Sequence, residues 1–301
     1  MYHYSVIQWL FTFYFYCFGG WCFESAYVSI KDKKLTNRGF MRGPFLPIYG
    51  SGATMMLVVS MPFQHNIVMT YIAGCVGATV LEYITGVLME HIFKVRYWDY
   101  SGKKLNFQGH ICLTSTLTWG FFTIVTTTFL QKQVEKVMYA IPTAVLKYGI
   151  LILTVLIAID FALSFKAAVD LRGVLEKMHQ VKLEMSGIQK KLDGFLAKTG
   201  EGIGNKKEAI TESFATLKGS IEGKLEQIKG MVQSKTDKYT DEEKEALLEL
   251  NVAYKVNLDR HTRLSSLKDF IQRSMLRSNP GMISKQYHDS LEELKKKLKG
   301  E

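Results

Sequence analysis

The stretch Ala73–His91, "AGCVGATVLEYITGVLMEH", is apolar enough to lie in a lipid bilayer, yet it carries Glu82 and Glu90. Gly74, Ala78, Glu82, Gly86 and Glu90 recur at every fourth position, which on an α-helix draws one continuous stripe. Small residues at that spacing let a second helix approach closely, and membrane helices pack through such contacts. A charge at the centre of a spanning helix costs about 2.5–3.5 kcal/mol on insertion scales. The stripe therefore reads as a helix–helix seam with its acids turned inward. Glu82 then needs a partner, and the sequence predicts an ion pair with Arg38 or Arg42 of the preceding basic loop.

Around this helix the chain divides into unlike halves. The mean hydropathy of +0.02 averages an apolar half, residues 1–165, with a polar one, residues 166–301. Five segments approach the ~20 apolar residues that a bilayer core requires: 6–29, 45–62, 67–92, 112–130 and 142–165. The second starts at "GPFLP", contains Gly50, Ser51 and Gly52, and stops at Pro62, so it is the weakest. The expected fold is all-α: a polytopic bundle of five transmembrane helices, residues 1–165, followed by a helical tail, 166–301. Lys31, Lys33, Lys34, Arg38 and Arg42 follow the first span, and Lys94, Arg96, Lys103 and Lys104 follow the third. Basic loops stay on the cytoplasmic side, which predicts an inner-membrane protein with its N-terminus outside and its tail cytoplasmic. The N-terminus lacks a basic region and a small-residue cleavage site, the mark of a retained span and not a signal peptide. Cys17, Cys22, Cys75 and Cys112 lie in or beside apolar runs without paired spacing and read as buried small hydrophobes.

The tail has its own period. Leu171, Val174, Met178, Val181, Met185, Ile188, Leu192 and Phe195 alternate by three and four, a coiled-coil-like seam continuous with the fifth span. "KTGEGIGNKK" interrupts it. A second helix is expected at about 206–234, with Ile210, Phe214, Leu217, Ile221, Leu225, Ile228 and Val232 along one side. "TDEE" at Thr240–Glu243 opens a third as a capping box, and "SNPG" at Ser278–Gly281 closes it. A basic amphipathic helix follows, and no β-strand is called for. The seams suit either an internal hairpin or a homo-oligomer or partner helix. Mixed charge in this half is that of a solvated helix, not of a nucleic-acid-binding arm.

The polar residues of the first half gather at one level. Glu24, Glu82, Glu90 and Asp160 fall toward the cytoplasmic ends of their helices, near Arg38, Arg42, Arg96 and Asp99 in the loops. They form either salt bridges that tie the loops to the bundle or a polar cavity open to the cytoplasm. The hydroxyls of "CLTSTLTWGFFTIVTTTF" (112–129) either bond carbonyls one turn back or line a polar path. Catalytic motifs are missing: there is no G-x-S-x-G, H-E-x-x-H or Walker A sequence. His91, Asp99 and His110 do not have metal-ligand spacing. The chain is thus expected to be no enzyme, without cofactor or metal.

Three stretches go further: "GGWCFESAYVSI" (19–30), "NRGFMRGPFLPIYGSGA" (37–53) and "LEYITGVLMEHIFKVRYWDYSGKKLNFQGHICL" (81–113). They resemble the bacterial family of ABC-transporter permeases, type IV, over about residues 5–165. Matching positions include Trp21, Glu24, Arg38, Gly43, Pro47, Glu82, Gly86, Glu90, Trp98, Asp99, Tyr100 and Trp119. The resemblance implies a transport-related membrane subunit. Since the chain has no nucleotide-binding cassette, it also implies a separate ATPase, with loops 31–43 and 94–111 as its docking elements by analogy. The alternative is a non-transporting scaffold or sensor whose tail recruits a partner.

Overall fold

The structure, a computed structural model, describes residues 4–198, 213–234, 240–267 and 269–300. It forms two compact units, Met1–Arg172 with Asp269–Gln286, and Gly173–Lys268 with Tyr287–Glu301.

In the first unit, helices α1 (Val6–Asp32), α2 (Pro47–Ser60), α3 (Ile67–Phe93) and α4 (Leu113–Val125) pack in sequence, α1 on α2, α2 on α3 and α3 on α4. A π-helical segment, Thr126–Leu130, joins α4 to α5 (Gln131–Ala140), and α6 starts at Thr143. Asn66 caps α3 by accepting from the Val68 and Met69 amides, and Lys94 ends it in the left-handed region at φ 58°. Thr70, Gly74, Ala78, Glu82 and Gly86 are buried, whereas Val76, Val80, Ile84 and Leu88 are exposed. The four-residue stripe is therefore the packed face. A Cβ at Gly74 would overlap Thr123 of α4, and one at Gly86 would stand 2.8 Å from His110 Nδ1. On the other side of α2, a Cβ at Gly50 would stand 2.6 Å from the Phe13 carbonyl of α1.

The expectation of five spans is corrected. Among the described residues three helices are long and apolar enough to cross a membrane: Val6–Asp32, Ile67–Phe93 and Thr143–Ala197 within α6. With 14 residues, α2 is about 21 Å long, short of a ~30 Å hydrocarbon core. Pro47 fixes its first turn, and at Met61–Phe63 it tightens into a 3₁₀ turn around Pro62. Helix α4 has 13 residues before the π segment, and α5, "QKQVEKVMYA", is polar. Threonine hydroxyls explain part of that irregularity. Thr118, Thr123, Thr127 and Thr128 bond carbonyls four residues back, and Thr127 also reaches Ile124 O, which loosens the backbone ladder where the π turn begins.

Strands also occur. Asn106–Phe107 (β1) and Ile111–Cys112 (β2) form an antiparallel hairpin whose turn holds Gln108 at φ 53° and Gly109 at φ 77°. The hairpin turn lies close against Arg96: a Cβ on Gly109 would lie 2.5 Å from its Nη1. The four cysteines are free; Cys17 and Cys112 are buried, Cys75 is half-buried, and Cys22 is exposed on α1, contrary to the expected burial.

The second unit is helical in its described residues. Helix α6 runs unbroken to Lys198. Its Val181, Met185, Ile188, Leu192 and Leu196 pack with Leu217, Ile221, Leu225 and Ile228 of α7 (Phe214–Ser234) and Tyr254 of α8 (Asp241–Ser265). The seam of α6 is thus covered within the chain. Its ends drift by one residue from the heptad: Leu175 and Leu196 are buried where Val174 and Phe195 were expected, as a straight helix of 3.6 residues per turn requires. The expected start of α7 before residue 213, with Ile210, lies outside the described residues. Thr240 forms the expected capping box with Glu243. The third tail helix does not continue to Ser278. It ends at Ser265, and Asp269, already in the first unit, caps a separate helix there, α9 (Phe270–Ser278), by accepting from the Ile271 and Gln272 amides. In α10 (His288–Lys299), Glu293 Oε2 lies 3.1 Å from His261 Nε2 of α8.

The close approach along α3 has a measurable consequence. Gly74→Leu should lower the thermal stability of the detergent-purified protein by at least the ~1–3 kcal/mol typical of overpacking. Gly149→Leu, at a helical glycine with open space around it, should leave stability nearly unchanged. Equal effects would refute the seam.

Candidate functional site

Both basic loops lie in the first unit, and segment 269–286 is bonded to each. In the loop after α1, Arg38 Nε is 2.9 Å from Glu24 Oε1, and its Nη1 donates to Ser278 O and Asn279 Oδ1 at 3.1 and 2.8 Å. Asn279 returns a bond from Nδ2 to Gly39 O at 2.9 Å. The Arg42 guanidinium stands 5.5 Å above the Phe270 ring, and the Gly43 amide donates to Asp160 Oδ2 of α6 at 2.8 Å. In the loop after α3, Arg96 and Ile283 exchange both backbone bonds, at 2.7 and 2.9 Å, and Ser284 Oγ donates to Lys94 O at 2.7 Å.

Arg96 is the buried hub of this second loop. Its side chain is 4% exposed, with Nη2 2.7 Å from Glu90 Oε2 and Nη1 3.2 Å from Asp99 Oδ1. Nη1 also donates to Gln108 O at 2.9 Å. His110 Nε2 lies 3.0 Å from the same Glu90 oxygen. Burial and the Arg96 charge push the His110 imidazole below its ordinary value, against the opposing pull of Glu90. Arg96 Nη2 and His110 Nε2 thus both approach one Glu90 oxygen. Burial pushes the Asp99 carboxyl up, but bonds from Ser101 and Arg96 outweigh it and hold the group below the usual carboxylate range.

Glu82 sits apart from every arginine, which corrects the expected pair with Arg38 or Arg42. It is 7% exposed and accepts from Tyr100 OH at 3.0 Å, Trp119 Nε1 at 3.1 Å and Ser115 Oγ at 3.2 Å. These three neutral donors come from the loop after α3 and from α4. Charge counting overlooked them because Tyr100 and Trp119 read as apolar and Ser115 as one hydroxyl in a Ser/Thr run. Asn279 and His110 were missed for a different reason: one read only as a helix stop, the other only as a metal ligand without companions.

The eight singled-out residues thus occupy five separate contacts: Glu24 with Arg38, Glu90 and Asp99 with Arg96, Asp160 with the Gly43 amide, Arg42 with Phe270, and Glu82 with Tyr100, Ser115 and Trp119. Of the eight, Glu90 and Arg96 line a cleft of about 470 Å³, together with Val87, Lys94, His110 and Lys285 among others. Its lining reaches no deeper along α3 than Val87. No group of metal-ligating side chains occurs among the described residues.

Long apolar helices whose polar residues are bonded into loops define a multi-pass helical membrane protein. The chain belongs to the family described as "Putative ABC-transporter type IV", which it matches over residues 11–165. Its role is accordingly transport-related and permease-like. No curated protein and no solved structure matches the chain significantly. The second unit and segment 269–286 lie beyond the family match.

Two measurements probe this site. Arg96→Gln leaves Glu90 half-buried without its cation and should lower stability by about 3–5 kcal/mol, read by thermal unfolding; an unchanged midpoint would refute the hub. His110 gives a pH effect. With its folded value below that of the unfolded chain, about 6.5, the unfolded chain binds the extra proton, so stability rises with pH and is lost as pH falls below about 6.5. His110→Gln should flatten the decline of the unfolding midpoint between pH 7.5 and 5.5. Parallel declines would show that His110 does not contribute.

Proposed function

We propose that the chain is the membrane subunit of a transport complex whose ATPase is a separate polypeptide, docked on loops 33–46 and 94–112. In this reading the basic-loop end faces the cytoplasm and the N-terminus lies outside; α2 and the turn around Pro62, shorter than a full span, carry the chain back between α1 and α3, and the cleft beside Glu90 and Arg96 is the polar cavity. One observation carries the reading: both loops are bonded to a single segment, 269–286, so a partner pulling on one loop moves a connected platform and not two free strands. Their Lys and Arg content supports the orientation.

The scaffold reading also has an observation in its favour. Glu24, Glu82, Glu90 and Asp160 all have hydrogen-bond or ion-pair partners within the protein, and none is left as a carrier site. Purification from native membranes separates the two. A transport subunit should bring down a polypeptide with a nucleotide-binding cassette, and the complex should hydrolyse ATP. Lys103→Glu with Lys104→Glu, at exposed positions of the second loop, should release that polypeptide without lowering stability. If no ATP-hydrolysing partner accompanies the wild-type chain, the transport reading fails and the scaffold stands. Reporter fusions after Lys33 and Lys103 should both report cytoplasm; an outside signal from either would overturn the orientation.

A further inference from the structure

The cleft at the end of α3 has a composition that the ion pairs around it do not explain. Its charged lining residues are Lys94, Arg96 and Lys285 against a single carboxylate, Glu90. Glu90 is already engaged by Arg96 and His110, and Arg96 by Glu90, Asp99 and Gln108 O. Lys285 exerts a field on Glu90 but makes no ion pair with it, and Lys94 makes none with any described carboxylate. Two ammonium groups therefore remain available to a ligand. Their juxtaposition is built in, since the paired backbone bonds between Arg96 and Ile283, with Ser284 Oγ on Lys94 O, fix Lys285 beside Lys94.

The negative end of α3 would ordinarily repel an anion here. It is covered: Ile92 O accepts from Arg172 Nη1 at 2.9 Å, and Glu90 O from the Lys94 amide. His91 and Gln286 complete the rim. The floor is Val87, on the side of α3 that exposes Ile84 and Leu88. A volume of about 470 Å³ lies in the range of small-ligand sites. A basic rim about two helical turns beyond an exposed apolar face matches a group that is anionic at one end and apolar at the other. Anionic phospholipids at a membrane boundary have that form, and basic pockets between spanning helices take such headgroups.

We propose that this cleft binds a phosphate group, with Lys94 and Lys285 as its cations, and that the phosphate is that of an anionic phospholipid lying against Ile84 and Leu88. The binding needs only this end of α3 at the bilayer surface and is independent of any ATPase. The test is native mass spectrometry of the delipidated full chain, titrated separately with phosphatidylglycerol, phosphatidylcholine and inorganic phosphate. Phosphatidylglycerol should bind more tightly than phosphatidylcholine. Lys94→Gln with Lys285→Gln should weaken it by on the order of tenfold or more, with the circular dichroism unchanged. Lys103→Gln with Lys104→Gln removes the same charge outside the cleft and should leave the affinity intact. Excess inorganic phosphate should fail to displace the lipid. If inorganic phosphate instead binds in a Lys94- and Lys285-dependent way, and phosphatidylglycerol is no better than phosphatidylcholine, the phosphate site stands and the lipid source is overturned. Equal losses in the two double variants, or no loss in either, overturn the site itself.

Discussion

A carboxylate in an apolar bundle must find its hydrogen bonds inside the protein, and Glu82 does so at the centre of the α3 stripe. Its three donors belong to the loop after α3 and to α4, so satisfying one side chain fixes where both must lie. Gly74 and Gly86 flank it and let Thr123 and His110 come to contact distance, which brings α4 and the hairpin close enough for the bonds to form. Small residues and acid act together: the former set the distance, and the latter makes the chosen distance the only one without an unsatisfied buried charge.

The same logic extends outward to the loops. Arg96 cannot remain buried without partners, and it takes Glu90, Asp99 and the Gln108 carbonyl, which folds the chain from α3 through the hairpin into one unit. Arg38 joins the end of α1 to residues 278 and 279. Loops carrying this much charge would otherwise be free at a membrane surface; here both are bonded to segment 269–286, which lies beyond the family match. Membership of the family establishes a transport-related setting, and the bonded platform uses a segment outside the matched residues.

Much of this was legible in the sequence, and the parts that were not share a physical cause. The α3 stripe, the cap at Thr240 and the α6 seam are local patterns, set by residues within one or two turns of each other. Hydropathy over a window misjudged α2 and α4, because it counts apolar residues and not the continuity of the helix that carries them. Prolines 47 and 62 and a run of threonines shortened or loosened those helices. The partner of Glu82 escaped because charge suggested arginine, whereas the donors supplied were a phenol, an indole and a hydroxyl. Attachment of 269–286 to loops about 190–240 residues away has no local signature.

A double-mutant cycle between Glu82 and Trp119 tests the central role of the buried carboxylate most directly. Glu82→Gln, Trp119→Phe and the double variant would be unfolded in mild detergent, and the free energies compared. If the indole N–H holds the carboxylate, the two changes should couple by about 1.5–3 kcal/mol, the range for hydrogen bonds to charged groups. Additivity within about 0.5 kcal/mol would contradict it, leaving Glu82 as a passenger on a seam held by glycine packing alone.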